Sequence, residues 1–124
     1  MEAEEALFQK RILVVNKQTG KDRGLEGIIH KGGFQQPVHF LTLPEAMQSL
    51  DTNAYDVLIL DNRDGQLTEL ESIDLIGKYP KAFTFVCLTV QNWSDENYKT
   101  YGQMVKFVKD PSYLKDVILN ALKA

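Results

Sequence analysis

Short apolar runs bounded by polar residues alternate along the chain with stretches whose apolar positions recur at helical spacing. "RILVV" (11–15), "VHFLTL" (38–43), "DVLIL" (56–60), "FTFVCLTV" (83–90) and "VKFV" (105–108) have strand length, and an unbroken apolar run is the mark of a strand buried on both faces. Between them, 20–31 carries Leu25, Ile28 and Ile29 at helical spacing, weakened by Gly20, Gly24 and Gly27 and stopped by "KGG" at 31–33. "PEAMQSL" (44–50) predicts a short helix with Pro44 in its first turn, where a missing N–H does no harm. Leu67, Leu70, Ile73, Leu75 and Ile76 predict a helix that closes near Gly77 and Pro80. "SDENYKTYGQ" (94–103) opens with Ser94 as N-cap and acids in the first turn. "SYLKDVILNALKA" (112–124) sets Leu114, Val117, Ile118, Ala121 and Leu122 on one face of an amphipathic helix.

Five strands alternating with five helices imply an α/β fold whose parallel sheet is covered on both faces. In open sheets of that kind ligands gather at the carboxyl ends of the strands. The residues to weigh are therefore Asn16–Lys17, Thr42, Asp61, Thr89–Val90 and Lys109–Asp110. A length of 124 residues suits one domain, 1–124, of which 1–9 are expected to fray. The net charge of −3 argues against a nucleic-acid surface. No apolar run approaches the roughly 20 residues needed to span a bilayer, and "MEAEEALFQK" lacks a signal peptide's basic start and apolar centre. A cytoplasmic protein is the simplest reading. A single cysteine, Cys87, rules out an internal disulfide and a cysteine-based metal site, and its mid-strand place is that of a buried, inert thiol.

From about residue 10 to 123 the chain resembles the receiver domain of bacterial response regulators. "YDVLILD" is close to that family's third strand, "VCLT" looks like its fourth, "VKFVKDP" resembles its fifth, and "PEAMQSL" its helix after strand two. The resemblance implies a three-layer, flavodoxin-like sandwich with a five-stranded parallel sheet in order 2-1-3-4-5 and five helices. It places the phosphoacceptor at Asp61, the switch hydroxyl at Thr89 and the switch aromatic at Phe107. In the family an aspartate oxygen attacks phosphorus, carboxylates hold Mg²⁺, a lysine contacts a phosphoryl oxygen, and the hydroxyl couples the phosphoryl group to the aromatic.

The chain departs from the pattern where that chemistry needs charge. Asn16 and Lys17 replace the acidic pair after strand one, and Asp110 replaces the lysine before Pro111. Gly65 stands where the family has proline, and Lys109 lies one residue off the family's lysine, on the other face of a regular strand. The family's pocket sums to about −2 and Mg²⁺ brings it near zero, whereas Lys17, Asp61 and Asp110 sum to about −1. Mg²⁺ binding is therefore expected to be weak or absent, with no other cofactor, and Lys17 is expected to pair with Asp61, Asp110 or both.

Plainer roles compete for several of these residues. Asp110-Pro111-Ser112 is a good helix start, which favours Asp110 as an N-cap. Trp93 suits burial against the neighbouring helix, with a partner contact or lid as the sharper alternative. His30 and His39 stand apart and lack metal-ligand spacing. The reading favoured is a non-enzymatic, receiver-like module of a two-component or phosphorelay system. It acts through protein partners, a histidine kinase or an output protein, or as a homodimer through Tyr98, Tyr101 and the last helix. Two alternatives stay open: a receiver still phosphorylated at Asp61, and a small flavodoxin-like ligand-binding protein.

Overall fold

A computed structural model describes residues 2–17, 21–51, 55–63, 66–80 and 82–123. The elements run α1 (Glu2–Leu7), β1 (Ile12–Asn16), α2 (Arg23–Lys31), β2 (His39–Thr42), α3 (Leu43–Ser49), β3 (Val57–Asp61), α4 (Glu69–Lys78), β4 (Thr84–Leu88), α5 (Asp95–Tyr101), β5 (Val105–Val108) and α6 (Leu114–Lys123). Short 3-10 turns precede β5 and α6. All strand pairs are parallel and the order is β2-β1-β3-β4-β5, as the resemblance implied.

Among the described residues there are six helices, one more than the expected five. The N-terminal stretch, expected to fray, forms α1, and Phe8 just beyond it packs edge-on against Phe34 at 5.2 Å. Gly33, at φ 114°, makes room for this: a Cβ there would lie 2.9 Å from the Phe8 ring.

Strand alternation sorts the core into two layers. Leu13, Val15, Leu58, Leu60, Phe85 and Cys87 face α3 and α4. Ile12, Val14, Val57, Ile59, Val86 and Leu88 face α2 and α6. β1 and β3 are buried along their whole length. The helices over them start on side-chain caps: Asp22 for α2, and for α3 and α4 reciprocal capping boxes, Thr42 with Glu45 and Thr68 with Glu71. Thr42, a strand-end candidate in the sequence, thus serves a helix start. These caps bring the helix starts to the carboxyl edge of the sheet, where the site lies.

Candidate functional site

Asp61 ends β3 at the centre of that edge and is 2% exposed. Its carboxylate is filled by its own chain. The Arg63 backbone N–H donates to Oδ1 at 3.1 Å, an Asx turn that folds the chain back after the strand. That turn brings the Arg63 side chain back along the same carboxylate. Nε donates to Oδ1 at 3.0 Å and Nη2 to Oδ2 at 3.0 Å, a two-pronged fork. Nη2 also donates to Asp22 Oδ2 at 3.1 Å. Asp22 divides its work, because its Oδ1 accepts the Leu25 N–H that starts α2. The hydrogen bond to Asp61 holds the Arg63 guanidinium still further above its ordinary pKa, against the opposing effect of burial.

Asn62 turns the other way. Its amide NH₂ donates to Leu67 O at 3.1 Å and Ser72 Oγ at 2.8 Å. Its Oδ1 accepts from Trp93 Nε1 at 3.0 Å and Cys87 Sγ at 2.8 Å. Trp93 is buried, so the plainer reading of it holds, and its ring stands edge-on to Phe107 at 5.0 Å. Tyr98 leans on the other side of Phe107 at 5.5 Å. Burial pushes the Cys87 thiol up to about 12, which keeps it protonated and unreactive. Glu69, in the first turn of α4, accepts from the Ser94 N–H at 3.0 Å, from Ser94 Oγ at 2.9 Å and from the Asn97 amide. Burial pushes the Glu69 carboxyl up, but these hydrogen bonds together leave it below its usual range. The loop after β4 is thereby tied to α4.

No family model matches the chain, and no curated protein does. Solved structures are similar to it, among them the following three. The receiver domain of NtrC4 from Aquifex aeolicus aligns at TM-score 0.65 and 20% identity, over 93% of this chain and 95% of that one. A putative pilus assembly-related protein from Burkholderia pseudomallei aligns at 0.65 and 18%, over 94% and 92%. The receiver domain of the response regulator PhyR from Erythrobacter litoralis aligns at 0.55 and 15%, over 95% and 93%. The chain has the receiver fold.

On that receiver frame the expected positions scatter. Asp61 and the buried Asn16 stand at neighbouring strand ends. Lys17 pairs with neither Asp61 nor Asp110: its Nζ lies 3.5 Å from Glu71 Oε2, and its backbone N–H donates to Gln66 Oε1 at 3.2 Å. The physical reason is competition. A guanidinium fork matches a carboxylate better than a lone ammonium does, and Glu71 has an oxygen to spare, since Oε1 alone accepts the Thr68 N–H.

Asp110 does not join the pocket. It is exposed and accepts from the Ser112 N–H at 3.0 Å, capping the turn before α6, and that backbone hydrogen bond lowers its pKa. Thr89 is buried, and its hydroxyl donates to Gln91 O at 2.7 Å and accepts the Gln91 N–H at 3.2 Å. Phe107 and Lys109 share a cleft of about 350 Å³ with Thr89, Asn92, Trp93, Asp95 and Tyr98. Lys109, just beyond β5, lines this aromatic cleft. Gly65 lies outside the described residues.

Two residues that hold this site together, Arg63 and Asn62, were not singled out in the sequence. The usable signal was "DNR" itself: an arginine two residues beyond a strand-end acid is spaced for an Asx turn and a fork. Among the described residues no three or more His, Cys, Asp or Glu converge as a metal site would require.

Proposed function

We propose that this receiver-fold chain is a non-enzymatic cytoplasmic signalling module of the two-component or phosphorelay type, working through protein contacts with metal-dependent aspartyl phosphorylation lost. The observation that carries this is the fork of Arg63 on both oxygens of Asp61. A carboxylate attacks phosphorus with an oxygen lone pair, and both oxygens here already accept charge-assisted hydrogen bonds. Transfer also calls for a cation that neutralises charge at the incoming group. The donor set does not fit a hard divalent ion. Asn16 offers no charge, Lys17 is engaged with Glu71, and the oxygens of Asp61 are taken.

The second half of the receiver switch is held as well. The Thr89 hydroxyl closes its own turn on Gln91, and Phe107 is flanked by Trp93 and Tyr98. A module fixed in one state signals by what it binds. Tyr98 and Met104 are exposed beside β5 and offer the apolar part of a contact surface, for a second copy or for a kinase or output partner. Tyr101, expected to join Tyr98 there, packs against the core instead.

The test is intact mass after incubation with acetyl phosphate and Mg²⁺, with Asp61→Asn as control. The expected spectrum shows no phosphoryl adduct. An adduct on the unaltered protein that Asp61→Asn lacks would overturn the reading.

A further inference from the structure

Leu7, Phe8 and Gln9, at the end of α1, are held to the rest of the chain as a groove holds a bound peptide. The Phe8 ring stands edge-on to Phe34 at 5.2 Å and lies under the Lys115 ammonium at 5.8 Å. The Phe8 carbonyl accepts the Gln35 N–H at 2.9 Å. The Gln9 amide donates to Gln35 Oε1 at 2.6 Å and accepts from Gln36 Nε2 at 3.2 Å. One aromatic anchor, one backbone hydrogen bond and one reciprocated side-chain amide make up the contact set of a short docked segment.

The two sides of this contact are unequally built. The seat belongs to the core: Phe34 is 2% exposed and lies in the layer with Leu25, Ile29 and Ile118. It has room for a ring because Gly33 lacks a Cβ, which would come within 2.9 Å of Phe8. The segment is not core. Leu7 and Phe8 are half-buried on the rim of that layer, and Gln9 is exposed. At six residues α1 is far short of the roughly 12 that an isolated helix needs to hold itself. The sheet takes hold of the chain at Arg11, whose N–H donates to Asp56 Oδ2 at 2.9 Å. The seat therefore outlasts the segment, and equal chemistry from outside can take the segment's place.

From this we infer that the Gly33–Gln36 turn and the start of α6 form a peptide-docking groove with residues 7–9 as its built-in plug. Its outside occupant is a segment of a partner protein that carries an aromatic side chain followed by glutamine. That chemistry is read from the plug the structure shows in place. A plug tethered by so few residues sits at a millimolar effective concentration, so the groove opens only to a partner that adds contacts beyond the plug's own. The groove lies on the sheet face away from Trp93. The proposal deepens the functional reading above, and rests on it for protein contact as the way this chain works.

The experiment adds a capped peptide of residues 3–10 to the isotope-labelled full chain and follows amide shifts. Phe8→Ala empties the seat and is expected to stay folded, with Trp93 emission unchanged. It is expected to bind the peptide, with shifts centred on Gly32–Gln36 and Lys115. The parent, plugged, is expected to bind about tenfold more weakly or less. A peptide with alanine in place of its phenylalanine is expected to move no shifts. In Gly33→Ala the new Cβ displaces the plug and obstructs the seat together, so no binding is expected although the segment is loose.

Equal binding by the parent and Phe8→Ala, no binding by Phe8→Ala, or binding by Gly33→Ala each overturns the proposal. So does a Phe8→Ala chain that fails to fold, which would make the ring core and not plug. A Phe8→Ala chain that dimerises in place of binding the peptide overturns it too, because the seat would then belong to a second copy. A phosphoryl adduct on the parent would end the functional reading without touching this titration, so the two failures are separable.

Discussion

The carboxyl edge of the sheet is closed by two different means. Around β1 and β3 the closure is ionic: Arg63 grips Asp61 and Asp22, and Lys17 reaches Glu71. Around β4 and β5, apart from the Glu69 carboxylate that ties the β4 loop to α4, it is neutral: the Asn62 amide joins Trp93, Cys87, Ser72 and Leu67, and the Trp93 ring packs on Phe107. The difference matters because charge is not tied to one chemical group. Coulomb attraction depends on sign and distance, so a different positive group can serve it. An amide that donates twice and accepts twice in fixed directions has no such substitute. The neutral half is therefore the more rigid, and the larger losses are expected there.

Asn62→Leu should have the largest effect of the substitutions considered for this comparison. It keeps similar bulk but strands the Trp93 N–H, the Leu67 carbonyl and the Ser72 hydroxyl, buried groups that each cost about 1–3 kcal/mol when unpaired. A total loss of about 4 kcal/mol is expected in guanidinium unfolding. Trp93 is the sole tryptophan, so its emission reports the same site and should shift to longer wavelength. A loss under about 1 kcal/mol would mean the hub does not close that half. Trp93→Phe separates the donor from the ring. It retains an aromatic against Phe107 and leaves Asn62 Oδ1 its bond from Cys87, so about 1–2 kcal/mol is expected. A loss as large as that of Asn62→Leu would shift the weight of the neutral half from the amide to the indole.

The two halves also differed in how far the sequence revealed them. The sheet was legible because short, unbroken apolar runs such as "VLIL" and "FVCL", bounded by polar residues, read as buried strands, and their order followed from resemblance. Asp61 ends β3, Thr89 directly follows β4 and Phe107 lies within β5. The partners of those residues were not legible. Net charge over a pocket treats cations as interchangeable, so Lys17 looked equivalent to any other positive group. What selects Arg63 is local geometry, an Asx turn and a planar fork. Asn62 was hidden for a related reason: an amide's role depends on four directions that only the folded chain defines. α1 escaped notice because its reason to order lies in contacts beyond it, where Phe8 meets Phe34 and Gly33.

The smallest effect should come from the residue first cast as the pocket's cation. Lys17→Met removes an ion pair whose side chains are 42% and 24% exposed at 3.5 Å, and such pairs contribute about 0–1 kcal/mol. A change within about 0.5 kcal/mol is expected, shrinking further in salt. The Glu71 carboxyl should stay depressed without Lys17, since the Thr68 N–H is the leading cause of its lowered pKa. A depressed carboxyl contributes stability that is whole above its unfolded value of 4.5 and lost as pH falls below it through the folded value. The acid limbs of the parent and of Lys17→Met should therefore nearly superimpose in a pH series of unfolding midpoints. If Lys17→Met instead costs as much as Arg63→Met, the ionic half is a shared network, and Arg63 loses its place as the single counter-ion of Asp61. The comparison predicts the opposite ordering because burial decides it: Glu71 can exchange Lys17 for water, while Asp61, at 2% exposure, cannot make that exchange for Arg63.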